Sequence, residues 1–373
     1  MNQSLTDRLL LIAILATVLF VYQSEAINDC SKIREYCTCD QDRSSISCKN
    51  FTDFNQLDFS SGFKVESIRL EPSNWLELND RLNLSGVEAN KSLVFYLANL
   101  AAIDFNADPF KHVKGSDLTI YIYKSNVRFV YEGKNLSESC DTLLKNPAAQ
   151  WVLPRFNQLY LASGNTYETK TCPIIFRNAN LSLFEYEISM ENKFNFMPLP
   201  TDVGIELNFV CDEVIFIGKN LNMNKETLRR EVFAPSLKHV YVSSLVTIER
   251  LSDDAFDDLP SLKRLALIVN GFDKFIQSTN NLWMRNLNQR VTIDLNNPSA
   301  YNKSWVSQNS FLLNMITSLS TTKYSFPDAD FCRFVNFPHQ HLVFPIITNV
   351  DVDVSGCTCT LAYLYKYFSV FYG

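Results

Sequence analysis

The sequence is poor in the residues that most enzyme sites need. It contains four histidines and ten glycines in 373 residues. General-base and metal chemistry depend most often on histidine, and phosphate-binding loops depend on glycine. The chain also has no Gly-x-Ser-x-Gly elbow, no phosphate loop, no dinucleotide fingerprint and no His-Glu-x-x-His motif. We therefore expect a protein that is not an enzyme and that uses no cofactor.

Two local patterns could suggest a metal, but each fits a structural or surface role better. His339 and His341 form a His-x-His pair, and no carboxylate or third histidine lies near them in the sequence. The acidic run from Ser252 to Asp258 lacks the spacing of a calcium loop and fits the solvated face of the segment that contains Phe256. No metal site is predicted.

Basic clusters are also missing, and the formal net charge is -6. A protein that binds nucleic acid needs lysine and arginine opposite the phosphates, so we expect no nucleic-acid partner. The chain is 46% hydrophobic and 20% charged, which is too apolar for a disordered protein. At this length it can bury a full core without help from disulfides.

The N-terminus has the pattern of a secretory signal peptide. Arg8 precedes an apolar run over 9–22, and the small residues Ser24 and Ala26 occupy the positions that a signal peptidase reads. An uncleaved anchor is the alternative, but this run is shorter than the roughly 20 residues that a bilayer span needs. No longer apolar run follows, so we predict no membrane span. The protein is expected to be secreted and extracellular.

Export predicts that asparagine acceptor sites are glycosylated. Six Asn-x-Ser/Thr tripeptides follow the predicted cleavage site, at Asn50, Asn83, Asn90, Asn135, Asn180 and Asn302. Such tripeptides also occur by chance in an asparagine-rich chain, so their number supports export without deciding it.

Four cysteines lie close together just after the predicted cleavage site, at Cys30, Cys37, Cys39 and Cys48. In an oxidising compartment we interpret them as two disulfides, because a zinc site prefers Cys-x2-Cys pairs and a reducing compartment. The residues alone allow three connectivities.

The segment 251–270 contains the clearest repeat. Its pattern Leu262-x-x-Leu265-x-Leu267-x-x-Asn270 matches the leucine-rich repeat consensus. Leu265 and Leu267 alternate along a short strand and face inward, while Asn270 closes the turn by hydrogen bonding to a neighbouring coil.

Nine further segments repeat part of this pattern. Their central apolar positions are Ile68, Phe95, Ile120, Leu159, Leu181, Val214, Val240, Ile293 and Val352. With Leu265 included, most successive centres are separated by roughly 25 residues, which is typical of such repeats. The steps from Ile120 to Leu159 and from Ile293 to Val352 are longer and suggest insertions or an unseen repeat. The alternative is a β-rich globular domain with coincidental spacing.

The N-terminal cysteines resemble the cysteine-rich cap of extracellular leucine-rich repeat proteins. The resemblance implies that Cys30 pairs with Cys39 and that Cys37 pairs with Cys48. A cap is needed because the first coil of a solenoid would otherwise expose its apolar face.

The C-terminal region resembles the start of the second cap of the same family. Cys357-x-Cys359 comes just before a short apolar segment that would form the cap helix, and the resemblance implies that Cys332 pairs with Cys359. Because the sequence stops at Gly373, soon after Cys359, we expect a reduced cap or a truncated chain.

The three remaining cysteines are assigned from their positions in the repeats. Cys140 lies in the long step between Ile120 and Leu159, and Cys172 lies in the turn before the next strand, so a disulfide that clamps this insertion is the simplest interpretation. Cys211 takes an inward position, where cysteine behaves as a small buried apolar residue. One C-terminal thiol is left over, and it is free, pairs with Cys211 or bridges to another chain.

The resemblance predicts an α/β leucine-rich repeat solenoid, with a parallel β-sheet on its concave face and a disulfide-bonded cap at each end. The predicted parts are a signal peptide over 1–26, the N-terminal cap over 27–60, irregular leucine-rich repeats over 61–300, and the last repeats with the C-terminal cap over 301–373.

In such a solenoid, the residues between the inward apolar pairs point into the concave face. These residues are Arg69, Tyr96, Tyr121, Tyr160, Ser182, Ile215, Tyr241, Ala266, Asp294 and Asp353, and the flanking outward positions are Val94, Thr119, Tyr123, Gln158, His239 and Arg264. Tyrosine combines a rigid apolar ring with a polar tip and is enriched in binding surfaces. We predict a ligand site formed by Tyr96, Tyr121, Tyr160, Tyr241, Arg69 and Asp294. The alternative is that aromatic residues simply suit strands.

These patterns predict a secreted, glycosylated, non-catalytic leucine-rich repeat protein that recognises a protein or cell-surface ligand through its concave sheet. The alternative is a structural or accessory subunit, also non-catalytic, of an extracellular enzyme or matrix assembly. In either case a partner chain would be held non-covalently or through the unpaired thiol.

Overall fold

The computed structural model describes residues 30–40, 44–146, 153–162, 164–167, 170–187, 194–199, 207–269, 291–296, 356–359, 361, 362 and 365. The predictions for the signal peptide and for Asn270, Asn302, Cys332, His339, His341, Val352 and Asp353 lie outside these residues.

Strands dominate the described part of the chain. They are β1 (Cys37–Asp40), β2 (Ser45–Lys49), β3 (Phe63–Glu71), β4 (Leu76–Leu78), β5 (Val87–Ala98), β6 (Leu100–Asp104), β7 (Leu118–Tyr123), β8 (Asn126–Val127), β9 (Phe129–Tyr131), β10 (Lys134–Asn135), β11 (Gln158–Leu161), β12 (Thr166–Tyr167), β13 (Asn180–Glu187), β14 (Val210–Met223), β15 (His239–Leu251), β16 (Arg264–Val269) and β17 (Thr292–Asn296). The α-helices are α1 (Leu136–Leu144) and α2 (Arg230–Phe233), and the 3-10 helices are Cys30–Lys32, Phe54–Gln56, Leu153–Arg155 and Pro173–Phe176.

Eleven of the described strands form one sheet in the order β1-β2-β3-β5-β7-β11-β13-β14-β15-β16-β17. β1 pairs with β2 in the antiparallel sense, and every later pair is parallel. Because each strand pairs with the next strand of this sheet along the chain, the chain winds as a parallel β-solenoid. The expected parallel-sheet solenoid is confirmed, whereas the α/β class and the leucine-rich repeat identity stay predictions.

Two inward positions on each strand build the core of the solenoid. In-register pairing aligns them into two rows, of which the described members are Ile46, Ile68, Phe95, Ile120, Leu159, Phe184, Val214, Val240 and Leu265 in one row and Cys48, Leu70, Leu97, Ile122, Leu161, Tyr186, Phe216 and Val242 in the other. None of these side chains is more than 1% exposed. The apolar alternation of the sequence therefore specifies which face of the sheet is buried.

Phenylalanine fills the space behind these rows. Phe95 and Phe110 belong to one coil and Phe156 to the next, and they meet edge to face, with ring centroids 4.9 Å apart for Phe95–Phe110 and for Phe110–Phe156. Phe176 packs in the same way on Phe184, at 5.1 Å. Each ring buries a large apolar area, and the edge-to-face geometry adds about 0.5–1.5 kcal/mol per pair.

The connections between strands also stack on one another. Strands within these connections form a second, four-stranded sheet in the order β10-β9-β6-β4. Beside it, the buried Ser125 accepts a hydrogen bond at Oγ from the Leu100 amide, and its own amide donates to Asn165 Oδ1, at 3.0 and 2.9 Å. Asn165 Nδ2 then donates to the Ile122 carbonyl at 3.0 Å. This ladder satisfies buried backbone groups where the strands turn.

The N-terminal cysteines close the first coil. Cys30 is bonded to Cys39 and Cys37 to Cys48, which is the pairing that the family resemblance implies. Cys48 belongs to one of the buried rows, so its disulfide attaches β1 directly to the end of the core.

The remaining cysteines divide into bonded and free. Cys140 on α1 is bonded to Cys172, which comes just before a 3-10 helix of the next coil, so this bond does clamp the long insertion. Cys211 is a free thiol in the core, and Cys357 is a free thiol at the surface, so the two do not pair with each other. Cys359 is disulfide-bonded to a residue outside the described ranges.

The register of β13 corrects one sequence expectation. We expected Leu181 and Leu183 to form the inward pair, with Ser182 between them on the outer face. In the structure Leu181 lies beside Cys211, and Phe184 and Tyr186 form the inward pair.

The expectation failed because it excluded tyrosine from the core. The Tyr186 hydroxyl donates to the Thr227 carbonyl at 2.8 Å, so the side chain can be buried at no polar cost. With Phe184 as the centre in place of Leu181, the numbers of residues from Leu159 to this centre and from this centre to Val214 become more nearly equal.

We expect Phe184→Ala to lower the free energy of unfolding by about 3–5 kcal/mol, because it leaves a cavity in the core. Leu183→Ala should cost only about 1 kcal/mol, because Leu183 is half-buried on the outer face. Urea denaturation of both variants checks the register. A larger loss for Leu183→Ala would contradict it.

Candidate functional site

The outer face of the eleven-stranded sheet is the face that points away from the core. Its middle line of positions, here called the central row, consists of Arg69, Tyr96, Tyr121, Tyr160, Glu185, Ile215, Tyr241, Ala266 and Asp294. All six predicted site residues take positions in this row, with Asp294 placed opposite Ala266. The structure therefore brings them into one continuous line. Ser182 is not part of it.

Three tyrosines of the central row, Tyr96, Tyr121 and Tyr160, stand side by side on β5, β7 and β11. We call them the tyrosine stack. Tyr121 and Tyr160 are nearly parallel, with centroids 5.3 Å apart and an interplanar angle of 28°, and Tyr96 is tilted against Tyr121 at 5.6 Å. In-register parallel strands about 4.8 Å apart impose this spacing. Each ring is half-buried, so the stack forms a raised, rigid aromatic surface.

Arg69 covers one end of the tyrosine stack. Its guanidinium carbon lies 5.2 Å from the centroid of the Tyr96 ring, which is the distance of a cation–π contact. Arg69 Nη1 also lies 3.8 Å from Glu71 Oε1, so the guanidinium is held between a ring and a carboxylate. This end of the stack is therefore closed by a cation of the chain itself.

Glu71 is the centre of a polar cluster next to the stack. It accepts a hydrogen bond from the Tyr123 hydroxyl at 2.6 Å and pairs with Lys49 at 3.5 Å. Tyr123 reaches it across Ala98, whose small side chain leaves room for the ring. Burial alone would raise the pKa of Glu71, but the Tyr123 hydrogen bond and the charges of Lys49 and Arg69 outweigh it and lower that pKa. The carboxylate is thus stabilised in its charged form.

Glu185 is the residue of the central row that sequence reasoning missed, because the wrong register placed Ser182 there. It lies on β13 directly after Tyr160 and is half-buried. Among the residues that the structure describes, no cation and no hydrogen-bond donor contacts its carboxylate. Burial raises its pKa. A more regular repeat spacing was the signal that could have identified it.

The row continues beyond Glu185 with Ile215 and then Tyr241. Both lie at in-register positions on β14 and β15, and both are half-buried. Tyr160 and Tyr241 are separated by three strand spacings, or roughly 14 Å. The two positions between them have shorter side chains, so the row dips at Glu185 and Ile215.

Five of the six predicted flanking positions form a second line beside the central row. Val94, Thr119, Gln158, His239 and Arg264 lie in register along it, with Leu183 and Glu213 between Gln158 and His239. The sixth, Tyr123, lies on the opposite side of the central row. Thr119 Oγ1 and the Tyr160 hydroxyl both donate to Gln158 Oε1, at 3.3 and 3.4 Å. Gln158 therefore helps to hold the Tyr160 ring in place.

Tyr121, Tyr160 and Tyr241 are neutral and remain so over the physiological range. Burial raises the pKa of Tyr121 and of Tyr160, and the charge of Glu185 raises both further. Burial also raises the pKa of Tyr241, against the opposing charge of Arg264. The surface can stack, donate hydrogen bonds and attract cations.

The described glycosylation tripeptides leave this surface uncovered. Asn50, Asn83, Asn90 and Asn180 are exposed and Asn135 is half-buried, and all five lie outside the central row and its flanking line. Within the described ranges, no group of three or more histidine, cysteine, aspartate or glutamate side chains could hold a metal ion. No helix in that part of the chain is long and apolar enough to cross a membrane.

No protein-family model matches the chain, and no curated protein matches it either. The assignment of a function therefore depends on the geometry of the outer face.

The Glu71 cluster predicts a pH effect on stability. A carboxylate whose pKa is lowered by folding contributes stability above its unfolded pKa, near 4.3, and this contribution disappears as the pH falls through the folded pKa. We expect wild type to be more stable than Glu71→Gln at pH 7 and the difference to shrink as the pH falls below the unfolded pKa.

Urea denaturation at several pH values measures this difference. Glu88→Gln is the control, because it removes an exposed carboxylate away from the cluster. A wild-type advantage over Glu71→Gln that stays constant down to pH 3 would show that the charge of Glu71 is not what the cluster stabilises.

Proposed function

We propose that the chain is a secreted, glycosylated leucine-rich repeat protein that binds a protein or cell-surface ligand through the outer face of its sheet and catalyses no reaction. The observation on which the proposal depends is the tyrosine stack with Arg69 at its end. Half-exposed, preordered aromatic rings lose little entropy on binding, and Tyr and Arg are the residues that dominate binding energy in protein interfaces.

The fold supports the family assignment. Parallel strands recur at intervals of roughly 25 residues over most of the described sheet, and the disulfide-bonded N-terminal segment stands where such repeats need a cap. The longer step between β7 and β11 is explained by an insertion that forms β8 to β10 and α1.

The chemistry of the chain supports secretion. Three disulfides join described residues, and disulfides persist in oxidising compartments. Exposed acceptor asparagines that leave the central row open agree with a glycosylated protein that binds through this face.

The proposal can be tested by photo-crosslinking. Secreted chain with p-benzoylphenylalanine in place of Ile215, in the middle of the outer face, should capture one recurrent species from the extracellular fluid of its native source, identified by mass. The matched control places the same group at the exposed Glu138 on α1, away from the sheet. Equal capture from both positions would contradict binding through the sheet.

The captured partner then allows a direct test of the tyrosines. We expect Tyr121→Ala, Tyr160→Ala and Tyr241→Ala together to weaken its binding at least about a hundred-fold, because interface tyrosines each contribute strongly. The folded circular dichroism spectrum should not change, since all three rings are on the surface.

A control variant, Trp75→Ala with Tyr365→Ala, removes two exposed aromatic residues elsewhere on the chain. Its affinity for the partner should equal that of wild type. Unchanged affinity of the triple tyrosine variant would contradict the proposed site. A partner linked to the chain by a disulfide on a non-reducing gel would instead support the accessory-subunit alternative.

A further inference from the structure

The two ends of the tyrosine stack differ in one respect. At the Tyr96 end, the Arg69 guanidinium lies 5.2 Å from the ring centroid and is also paired with Glu71. At the Tyr160 end, the next residue of the row is Glu185, a carboxylate. The first end thus has a ring, a cation and a carboxylate. The second end has a ring and a carboxylate and lacks the cation.

The open face of Tyr160 is directed toward Glu185. Tyr121 stacks on one side of the Tyr160 ring at 5.3 Å, and it comes from β7. Glu185 comes from β13, the strand on the opposite side of β11. A group placed above Glu185 would therefore contact the uncovered face of Tyr160 and the carboxylate together.

The charge around this position favours a cation. Glu185 has no ion pair or hydrogen bond among the described residues, and Glu213 lies one strand away in the flanking line. Arg69 is four strands away, and Arg264 is three strands away on the far side of Tyr241. At about 4.8 Å per strand, both guanidinium-bearing positions are well beyond ion-pairing distance.

We propose that an arginine side chain of the partner protein enters the dip above Glu185, stacks on the open face of Tyr160 and pairs with the Glu185 carboxylate. This inference rests on the proposed function, since it names the chemistry by which the same face recognises its partner. Arginine fits better than lysine because a planar guanidinium can stack on a ring while it donates two hydrogen bonds to a carboxylate.

A sugar is a weaker candidate for the same position. Carbohydrates bind aromatic side chains through a broad exposed ring face, and the uncovered ring face of Tyr160 lies beside the Glu185 carboxylate. The half-buried carboxylate also carries a desolvation cost that a neutral ligand would not repay as well as a cation. Capture of a glycan in place of a protein at Ile215 would overturn the proposal.

The test uses the full secreted chain with its tyrosine rings labelled with ¹³C, followed by NMR. The probes are three acetylated pentapeptides in which glycines surround a central arginine, lysine or citrulline. Citrulline has nearly the shape of arginine without its charge. We expect the arginine peptide to shift the Tyr160 ring signal saturably with a dissociation constant on the order of millimolar, the lysine peptide to bind less tightly, and the citrulline peptide to cause no shift.

Substitutions at Glu185 and at Tyr160 locate the effect. Glu185→Gln should weaken the arginine peptide at least about ten-fold, whereas Glu88→Gln, which removes an exposed carboxylate at the start of β5, should leave it unchanged. Tyr160→Leu should also lose binding, while Tyr160→Phe should keep it because the ring face is retained; in these two variants the ring signal of the neighbouring Tyr121 is followed instead. Burial disfavours the charged form of Glu185, so Glu185→Gln should not lower the stability of the fold at pH 7.

The outcomes separate this inference from the proposed function. A Tyr160 shift that is equal for arginine and citrulline, or that persists in Glu185→Gln, would overturn the inference. So would a partner that is captured at Ile215 and binds Glu185→Gln as tightly as wild type, although the proposed function would stand. Failure to capture any partner at Ile215 would instead count against the proposed function.

Discussion

The hydrogen-bonded register of the parallel strands is the constraint on which this structure depends. Because each strand of the large sheet pairs in register with the next, equivalent positions of successive coils lie beside each other about 4.8 Å apart. Two such rows turn inward and form the core, and the row between them turns outward. The tyrosine stack is a consequence of this geometry, since tyrosine at one repeated position must become a line of adjacent rings.

Much of the strand register could be predicted from the sequence, because apolar residues at alternate positions of each strand identify the two inward rows. Ile68 and Leu70, or Val240 and Val242, differ from their polar neighbours enough to fix the face of each strand. Where an inward residue carries a polar group, the pattern is weaker, and this is why the β13 register was mistaken. Tyr186 has a hydroxyl, and its burial depends on a carbonyl of Thr227, 41 residues away in the sequence. No local pattern contains that contact.

The polar arrangement of the outer face could be predicted only in part. The row positions of Arg69, Tyr96, Tyr121, Tyr160 and Tyr241 follow from repeat spacing alone. The contacts between them do not, because they depend on which rotamers neighbouring side chains leave open. The hydrogen bond from Tyr123 to Glu71 spans 52 residues and requires the small Ala98 between them. The ladder of Ser125 and Asn165 is of the same kind, and it satisfies turns that the repeat consensus leaves unspecified.

Glu71 and Glu185 differ in whether the chain supplies partners for their carboxylates. Glu71, at one end of the outer face, has a hydrogen bond and two ion pairs, whereas Glu185, in the middle, has neither among the described residues. Both are carboxylates on neighbouring lines of the same sheet, and burial acts to raise the pKa of each. At Glu71 the chain supplies Tyr123, Lys49 and Arg69, and the pKa is lowered. At Glu185 burial acts unopposed, and the pKa is raised. A serine or threonine at that position would suit a half-buried strand without the cost of desolvating a charge. Because burial raises the pKa of Glu185, its charged form is disfavoured in the free protein, and the cation that we propose would stabilise it. Stability alone therefore explains Glu71, whereas binding of a cation is the explanation that we propose for Glu185.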